Sequence, residues 1–444
     1  MLRRMSFFGG LRKLYRAYFS RYRVFRYMKR IMLGIYFAGP IDFSRLQILL
    51  ESRQCRLPLR SASEFTREYG IRKEVVRESA PVQVPALMIP GRYAVGVAIG
   101  EMAQFVEPSI EVIEVQEATV IGGTNIFICR DCAVHPDVLK PDRDEIPAEQ
   151  FRLAAIDVPQ RMIEIRLSRW PQKIDRAISL VGQCTGNYAH WLTETLPKLV
   201  IIDEFLKYND VPLLVDSWIH PNFYRSIELF SVNRRPIFRL GRWRAAKVGM
   251  LIDVSPPAYA PAEFRGYRGG KALPPPQADW FLYSKWALNR LRDTAEKLVP
   301  PVDRRFSKRV YLLRTVASVG NRRFIRNLSE VHKIISSYGF VGIDPASLTL
   351  EEQIAMFRGA TCIVSAVGAA LANAVFTPPG CHVIALASYH ENANYYYFGN
   401  LMAILGHNLH YVLGAQVGTD GHIAHRDFEI DVSSLHEALS AVPF

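Results

Sequence analysis

Short apolar runs alternate with longer amphipathic ones over most of the chain, and their order predicts the architecture. "RAISLVG" (176–182) is a buried strand, and the helical pattern "NYAHWLTETLPKLVIIDEFLKY" follows it. "VPLLVD", "PNFYRSIELFSV" and "AAKVGMLID" then read strand, helix, strand. A second array begins at "RVYLLR" (309–314). It continues through a helix stopped by Gly339, the strand "FVGID", and the Thr-capped helix "TLEEQIAMFRGA". The strand "TCIVSAV", a helix "GAALANAVF" and the strand "CHVIALA" complete it. Strands alternating with helices predict parallel, doubly wound sheets. Between the arrays, residues 255–276 are rich in proline and glycine and read as a linker. Ahead of them, residues 83–130 carry short β-type runs ("YAVGVAI", "IEVIEV", "NIFIC") that predict a small antiparallel sheet. Residues 42–80, for example "DFSRLQILLESRQ", read as helical. The expected fold is α/β with two Rossmann-like domains facing across a cleft: residues 42–270, including the β-rich portion near 83–130, and residues 271–444.

The 444 residues exceed one ordinary core, and 49% apolar with 22% charged residues is globular composition. Net charge sharpens the picture at one end. Residues 1–30 carry ten Lys or Arg and no acid, leaving only +3 of the total +13 for the remaining chain. Read as a helix, residues 1–41 form a basic amphipathic arm with Leu11, Leu14, Tyr15, Tyr18, Tyr22 and Phe25 on one face. Such an arm suits an anionic membrane surface, with a solvated tail as the alternative. No nucleic-acid partner is expected, because no recognition motif follows the arm. The apolar stretch 31–41 is about half the roughly 20 residues of a membrane span, and no signal peptide is apparent. The expected location is cytoplasmic, or peripheral at the inner membrane face. "CRDC" (Cys129, Cys132) is a lone pair at two-residue spacing and weak evidence for metal or redox chemistry. The six cysteines are expected to be reduced. His407 and His410, like His422 and His425, lack a carboxylate at a matching offset, and no metal site is expected.

Three segments carry candidate chemistry. In "GNYAHWLTETLPKL" (186–199), Asn187 can cap a helix that starts where a parallel strand ends, the edge at which open α/β sheets bind ligands. His190 and Glu194, four residues apart, share one face and can remove a proton from a hydroxyl. Pro197 is expected to bend this helix. In "SAVGAALANAVFTPPG" (365–380), Ser365 ends a strand and Gly368 opens a small-residue turn whose backbone N–H groups can hold a phosphate. After "RVYLLR", Arg314, Arg322 and Arg323 can clamp a diphosphate.

Together these segments resemble glycosyltransferase family 61. The family's Asn-aromatic-x-His-Trp-Leu-x-acid-x-Leu-Pro-basic-Leu signature is matched by Asn187, Tyr188, His190, Trp191, Leu192, Glu194, Leu196, Pro197, Lys198 and Leu199. A strand ending in Arg314 follows, then Arg322, Arg323, Asn327 and Glu330, and then "VGAALAN" (367–373) with a later Pro-Pro-Gly. The family's His, second Gly and Thr fall on Val367, Ala370 and Ala372, and its frequent Glu on Ala385. The resemblance implies a GT-B fold and an inverting transfer of sugar from a nucleotide-sugar donor to a glycan or lipid-linked glycan acceptor. The setting it implies is capsular or exopolysaccharide biosynthesis, without a bound metal or cofactor. Glu194 is the preferred base, with His190 orienting it. Arg314, Arg322, Arg323, Asn327, Glu330, Ser365, Gly368 and Asn373 are expected at the donor, and Asn187 and Trp191 at the acceptor. The alternative is a non-catalytic protein of the same fold that binds glycan or nucleotide, or scaffolds a polysaccharide assembly complex.

Overall fold

The computed structural model describes residues 51–94, 102–261, 267–268, 271–272, 277–300, 306–314, 323–390, 393, 395–418, 423 and 426–443. The basic arm, Arg322, His422 and His425 lie outside the described residues. Two compact units are distinguished, residues 1–53 and 54–444. The second holds every element that bears on the site.

Its first sheet has eleven strands. Four are parallel, in the spatial order Ile237–Leu240, Leu213–Asp216, Gln172–Ser179, Ala245–Val254. Numbered along the chain this is 3-2-1-4, so the order reverses between Gln172–Ser179 and Ala245–Val254. Chains leave such a point in opposite directions and open a crevice at the strands' C-terminal ends. The β-runs at 110–129 do not make a separate small sheet. Ile110–Ile121 is one long strand that pairs antiparallel with Ala245–Val254 and extends the same sheet. Phe127–Cys129 and Cys132–His135 follow as a hairpin in which Cys129 faces Cys132. The two-residue gap of "CRDC" is therefore a hairpin turn, with Arg130 at φ 52°. Both thiols are free, and burial pushes both up from the ordinary thiol range.

The described part of residues 42–80 departs from the expected helix. Ser52–Ser61 is a strand, paired parallel with Cys132–His135, and Lys73–Arg77 is another, against Ile110–Ile121. Between them Ala62–Tyr69 is helical, opened by a Ser61–Glu64 capping box and closed by Gly70 at φ 63°. Pro58 explains part of this. It would break a helix interior, and here it sits just ahead of the residues Leu59–Ser61 that pair with Ala133–His135.

The second sheet has six strands in the order Val341–Ile343, Arg309–Leu312, Cys362–Ala366, His382–Ser388, Asn408–Val417, Asp427–Ile430. The first five are parallel and the last antiparallel. Its order, 2-1-3-4-5-6, also reverses once, between Arg309–Leu312 and Cys362–Ala366. One hydrophobic cluster joins the two sheets. It runs from Trp191, Leu196 and Leu199 to Leu371, Phe376 and Leu401. The stretch expected as a linker contributes the strand Ala258–Tyr259, paired with Leu282–Tyr283. No helix of the described residues is long and apolar enough to cross a membrane.

Candidate active site

The site is built on the segments that follow the C-terminal ends of Gln172–Ser179 and Cys362–Ala366. Strand Gln172–Ser179 ends in a loop held by Asp216, which is fully buried at the end of its own strand. Its carboxylate accepts N–H bonds from Gly123 and Gly182, both at 3.1 Å, and the Thr185 hydroxyl at 2.5 Å. Burial pushes Asp216 up to about 7, against the pull of those donors. The fixed loop delivers Asn187, whose side chain caps the next helix by accepting the Ala189 N–H at 2.9 Å.

That helix is not uniformly α. Tyr188–His190 is α, Trp191–Thr195 forms one π turn, and Leu196–Ile202 is α again. The Leu196 N–H reaches back to the Trp191 carbonyl, a five-residue step. Pro197 has no N–H to donate, and it sits in the first turn of the new α segment, where none is required. The expected bend is thus taken up as a π turn that contains Glu194.

His190 and Glu194 are both buried, at 5% and 8% exposure. His190 Nδ1 lies 2.7 Å from Glu194 Oε1, and the same oxygen accepts the Ala260 N–H at 3.0 Å. The Pro-rich stretch therefore reaches into the site. With Nδ1 donating its proton to that oxygen, the basic lone pair resides on Nε2. The imidazole meets the Tyr397 ring edge-on at 5.8 Å. Trp191 faces the opposite way. It is fully buried, stacks on Phe223 at 5.1 Å and donates to the Ser226 hydroxyl at 2.8 Å. An acceptor has no access to that indole; what it does is lock the helix into the core.

From the second sheet, Cys362–Ala366 ends at Gly368, and Ala369–Phe376 follows as a 3-10 helix rather than the expected α-helix. Among the described residues a Cβ at Gly368 would meet only the Ala366 carbonyl, at 3.8 Å. The Ser365 hydroxyl is turned back onto the Ala366 carbonyl at 2.9 Å. Asn373 is fully buried and binds both halves. Its Oδ1 accepts the Tyr188 hydroxyl at 2.7 Å, and its Nδ2 donates to Ala370 O at 3.2 Å and Gln353 Oε1 at 3.3 Å. Burial raises the Tyr188 phenol well above its ordinary range. The two signature segments are thus joined by a hydrogen bond, Tyr188 to Asn373, between residues 185 apart in sequence.

The arginine loop divides. Arg314 is exposed at the C-terminal end of Arg309–Leu312, beside the strand that leads to Gly368. Asn327 is elsewhere. Its Nδ2 donates to the Ile430 carbonyl at 2.9 Å and its Oδ1 accepts the Ile430 N–H at 3.0 Å, on the edge strand with three strands between it and Arg309–Leu312. Arg323 is half-buried just ahead of this pairing, and Glu330 is exposed in the first turn of the helix Leu328–Ser337. Asn373 therefore meets the His190 helix through Tyr188, and Arg314 follows the strand that neighbours the one leading to Gly368, whereas Asn327 is committed to a backbone clamp. Among the described residues no group of three His, Cys, Asp or Glu is placed to hold a metal ion.

Sequence reasoning did not place Ala260 or Asp216 in the site, because both act through long-range pairing that local pattern does not encode. It named Tyr188 and Lys198 only as motif positions. A search of curated proteins finds no match. Residues 188–384, which contain both joined segments, match the family model described as Glycosyltransferase 61, and the resemblance to that family indicates a glycosyltransferase.

Proposed function

We propose that the chain is an inverting glycosyltransferase that moves a sugar from a nucleotide-sugar donor to a glycan acceptor. The observation that carries this reading is the juxtaposition of the buried His190–Glu194 pair with the segment after Gly368, tied by Tyr188 and Asn373. An inverting transfer needs a base on the acceptor side and positive potential on the leaving-group side. His190 Nε2 takes the proton from the acceptor hydroxyl as its oxygen attacks the anomeric carbon. The bond from that carbon to the diphosphate oxygen breaks on the opposite face, and the nucleoside diphosphate leaves with the electron pair. Arg314 and the backbone around Gly368 offset the charge that develops there.

The proposed roles within the pair reverse the sequence-based preference for Glu194 over His190 as base. Glu194 Oε1 already accepts two bonds, from His190 and Ala260, which suits a carboxylate that orients and charges an imidazole. His190 is therefore the proposed base and Glu194 its positioning residue. A GT-B arrangement, a capsular or exopolysaccharide setting and attachment to an anionic membrane through residues 1–30 belong to the same proposal. They rest on the family resemblance and the charge of the arm.

The test is the stereochemistry of the product. With a donor that the protein turns over, proton NMR of the first product should show the anomeric configuration opposite to the donor's. Retention of configuration would overturn the single-displacement reading.

A further inference from the structure

Beside Glu194, two adjoining hollows open at the order reversal of the first sheet, between Gln172–Ser179 and Ala245–Val254. They share Lys198 and Asn125; Gln183 and Glu194 line one, Ser179 and Asp253 the other. Their lining is costly for the fold. Gln183 is 6% exposed; its carboxamide and the neighbouring Tyr259 hydroxyl approach one another, yet neither completes a well-formed hydrogen bond among the described residues. Lys198 is 9% exposed, four residues beyond Glu194 on the same helix, and forms no ion pair within 4 Å among the described residues. Buried polar groups in native proteins are nearly always satisfied, so groups left open around a hollow call for an occupant.

The charges select that occupant. One ammonium faces two carboxylates, Asp253 and Glu194, which attract it from beyond contact distance. A carboxylate or phosphate entering here would gain Lys198 and meet repulsion from both acids. A hydroxyl fits each partner: its oxygen accepts from Lys198 Nζ and its proton goes to Asp253, while Gln183 offers both a donor and an acceptor. Size limits it further, since the enclosed space takes a single hydroxyl or hydroxymethyl arm and not a pyranose ring. We infer that this hollow is an acceptor subsite that seats a hydroxyl or hydroxymethyl arm of an uncharged sugar, and so selects neutral over uronate acceptors. The inference rests on the glycosyltransferase reading. Burial depresses Lys198 and raises Asp253, each opposed by the other's charge, as expected for a pair held apart by a gap.

The experiment uses the full chain and simple probes. Saturation-transfer NMR is recorded with neutral methyl hexopyranosides and with methyl glucuronide, on wild type, Lys198→Met and Gln183→Met. Wild type should bind at least one neutral glycoside and bind the glucuronide at least tenfold more weakly, and Lys198→Met should weaken the neutral glycoside at least tenfold. Gln183→Met should also raise Tm, because it removes an unpaired buried amide. A lower Tm would mean that Gln183 serves the fold through water or the Tyr259 hydroxyl, and would overturn the subsite. Equal or tighter glucuronide binding would overturn it too, as would the absence of any neutral binding. Nucleotide binding by the same protein separates the two claims. If a nucleotide binds and no neutral glycoside does, the subsite alone fails; if neither binds, the transferase reading fails with it.

Discussion

Replacing Glu194 by Gln keeps the shape of the carboxylate and removes its charge. The carboxamide oxygen can still accept from Ala260 or from His190, but it no longer stabilises an imidazolium. The contact at stake is 2.7 Å between groups that are 5% and 8% exposed. With an effective dielectric of about 20, unit charges at this range attract by on the order of 5 kcal/mol, and charge-assisted hydrogen bonds contribute about 1.5–3 kcal/mol net. The cost to transfer therefore lies at roughly 10–10⁴ in kcat, at about 1.4 kcal/mol per factor of ten. The assay is initial-rate release of nucleoside diphosphate with saturating donor, for wild type, Glu194→Gln, His190→Ala and the double variant. Because the two residues act as a unit, the double variant should be hardly slower than His190→Ala alone. Multiplicative losses would refute the dyad. A His190→Ala enzyme with near-normal kcat would refute His190 as base.

Other consequences are more local. Tyr188→Phe leaves the buried Asn373 Oδ1 without its hydroxyl partner and should cost about 1–3 kcal/mol in urea unfolding; an unchanged midpoint would mean that the bond joining the two halves contributes nothing. His407 is buried with Nε2 3.0 Å from the Ala374 carbonyl, and burial lowers it to about 4. A folded value below the unfolded one contributes stability that is complete above about pH 6.5 and is lost as pH falls through 4. Up to about 3 kcal/mol is involved, and His407→Gln should flatten that part of the stability–pH curve. Trp191→Ala should cost about 3–5 kcal/mol through lost packing on Phe223, read as a lowered Tm, whereas an acceptor-contact role would leave Tm nearly unchanged.

Four of the six strands of the second sheet were legible because each is a compact apolar run next to a helical pattern; one such helix, Leu350–Gly359, is capped by Thr349. The helix from Tyr188 was legible for the same reason, and so was its capping by Asn187. The strand Ser52–Ser61 was not. Its charged residues follow a helix-like run, and only its pairing with Cys132–His135 makes it extended. The 3-10 form of Ala369–Phe376 was equally hidden, since small apolar residues suit either helix and tertiary packing decides. At the site, spacing alone predicted that His190 and Glu194 meet. It did not show that Ala260 shares the carboxylate, nor that Asn327 is held by Ile430, because both partners are distant in sequence.

The most direct test of the central claim is thermal stabilisation by UDP-, GDP-, CMP- and dTDP-sugars and the free nucleoside diphosphates, on wild type and Arg314→Ala. A ligand that binds only the folded protein adds roughly 2.7 kcal/mol at 100 times its Kd, a readily measured rise in Tm. The account predicts a clear shift from one nucleotide class that is lost in Arg314→Ala. No shift from any of them, or one indifferent to Arg314, would contradict a donor site at the Gly368 edge.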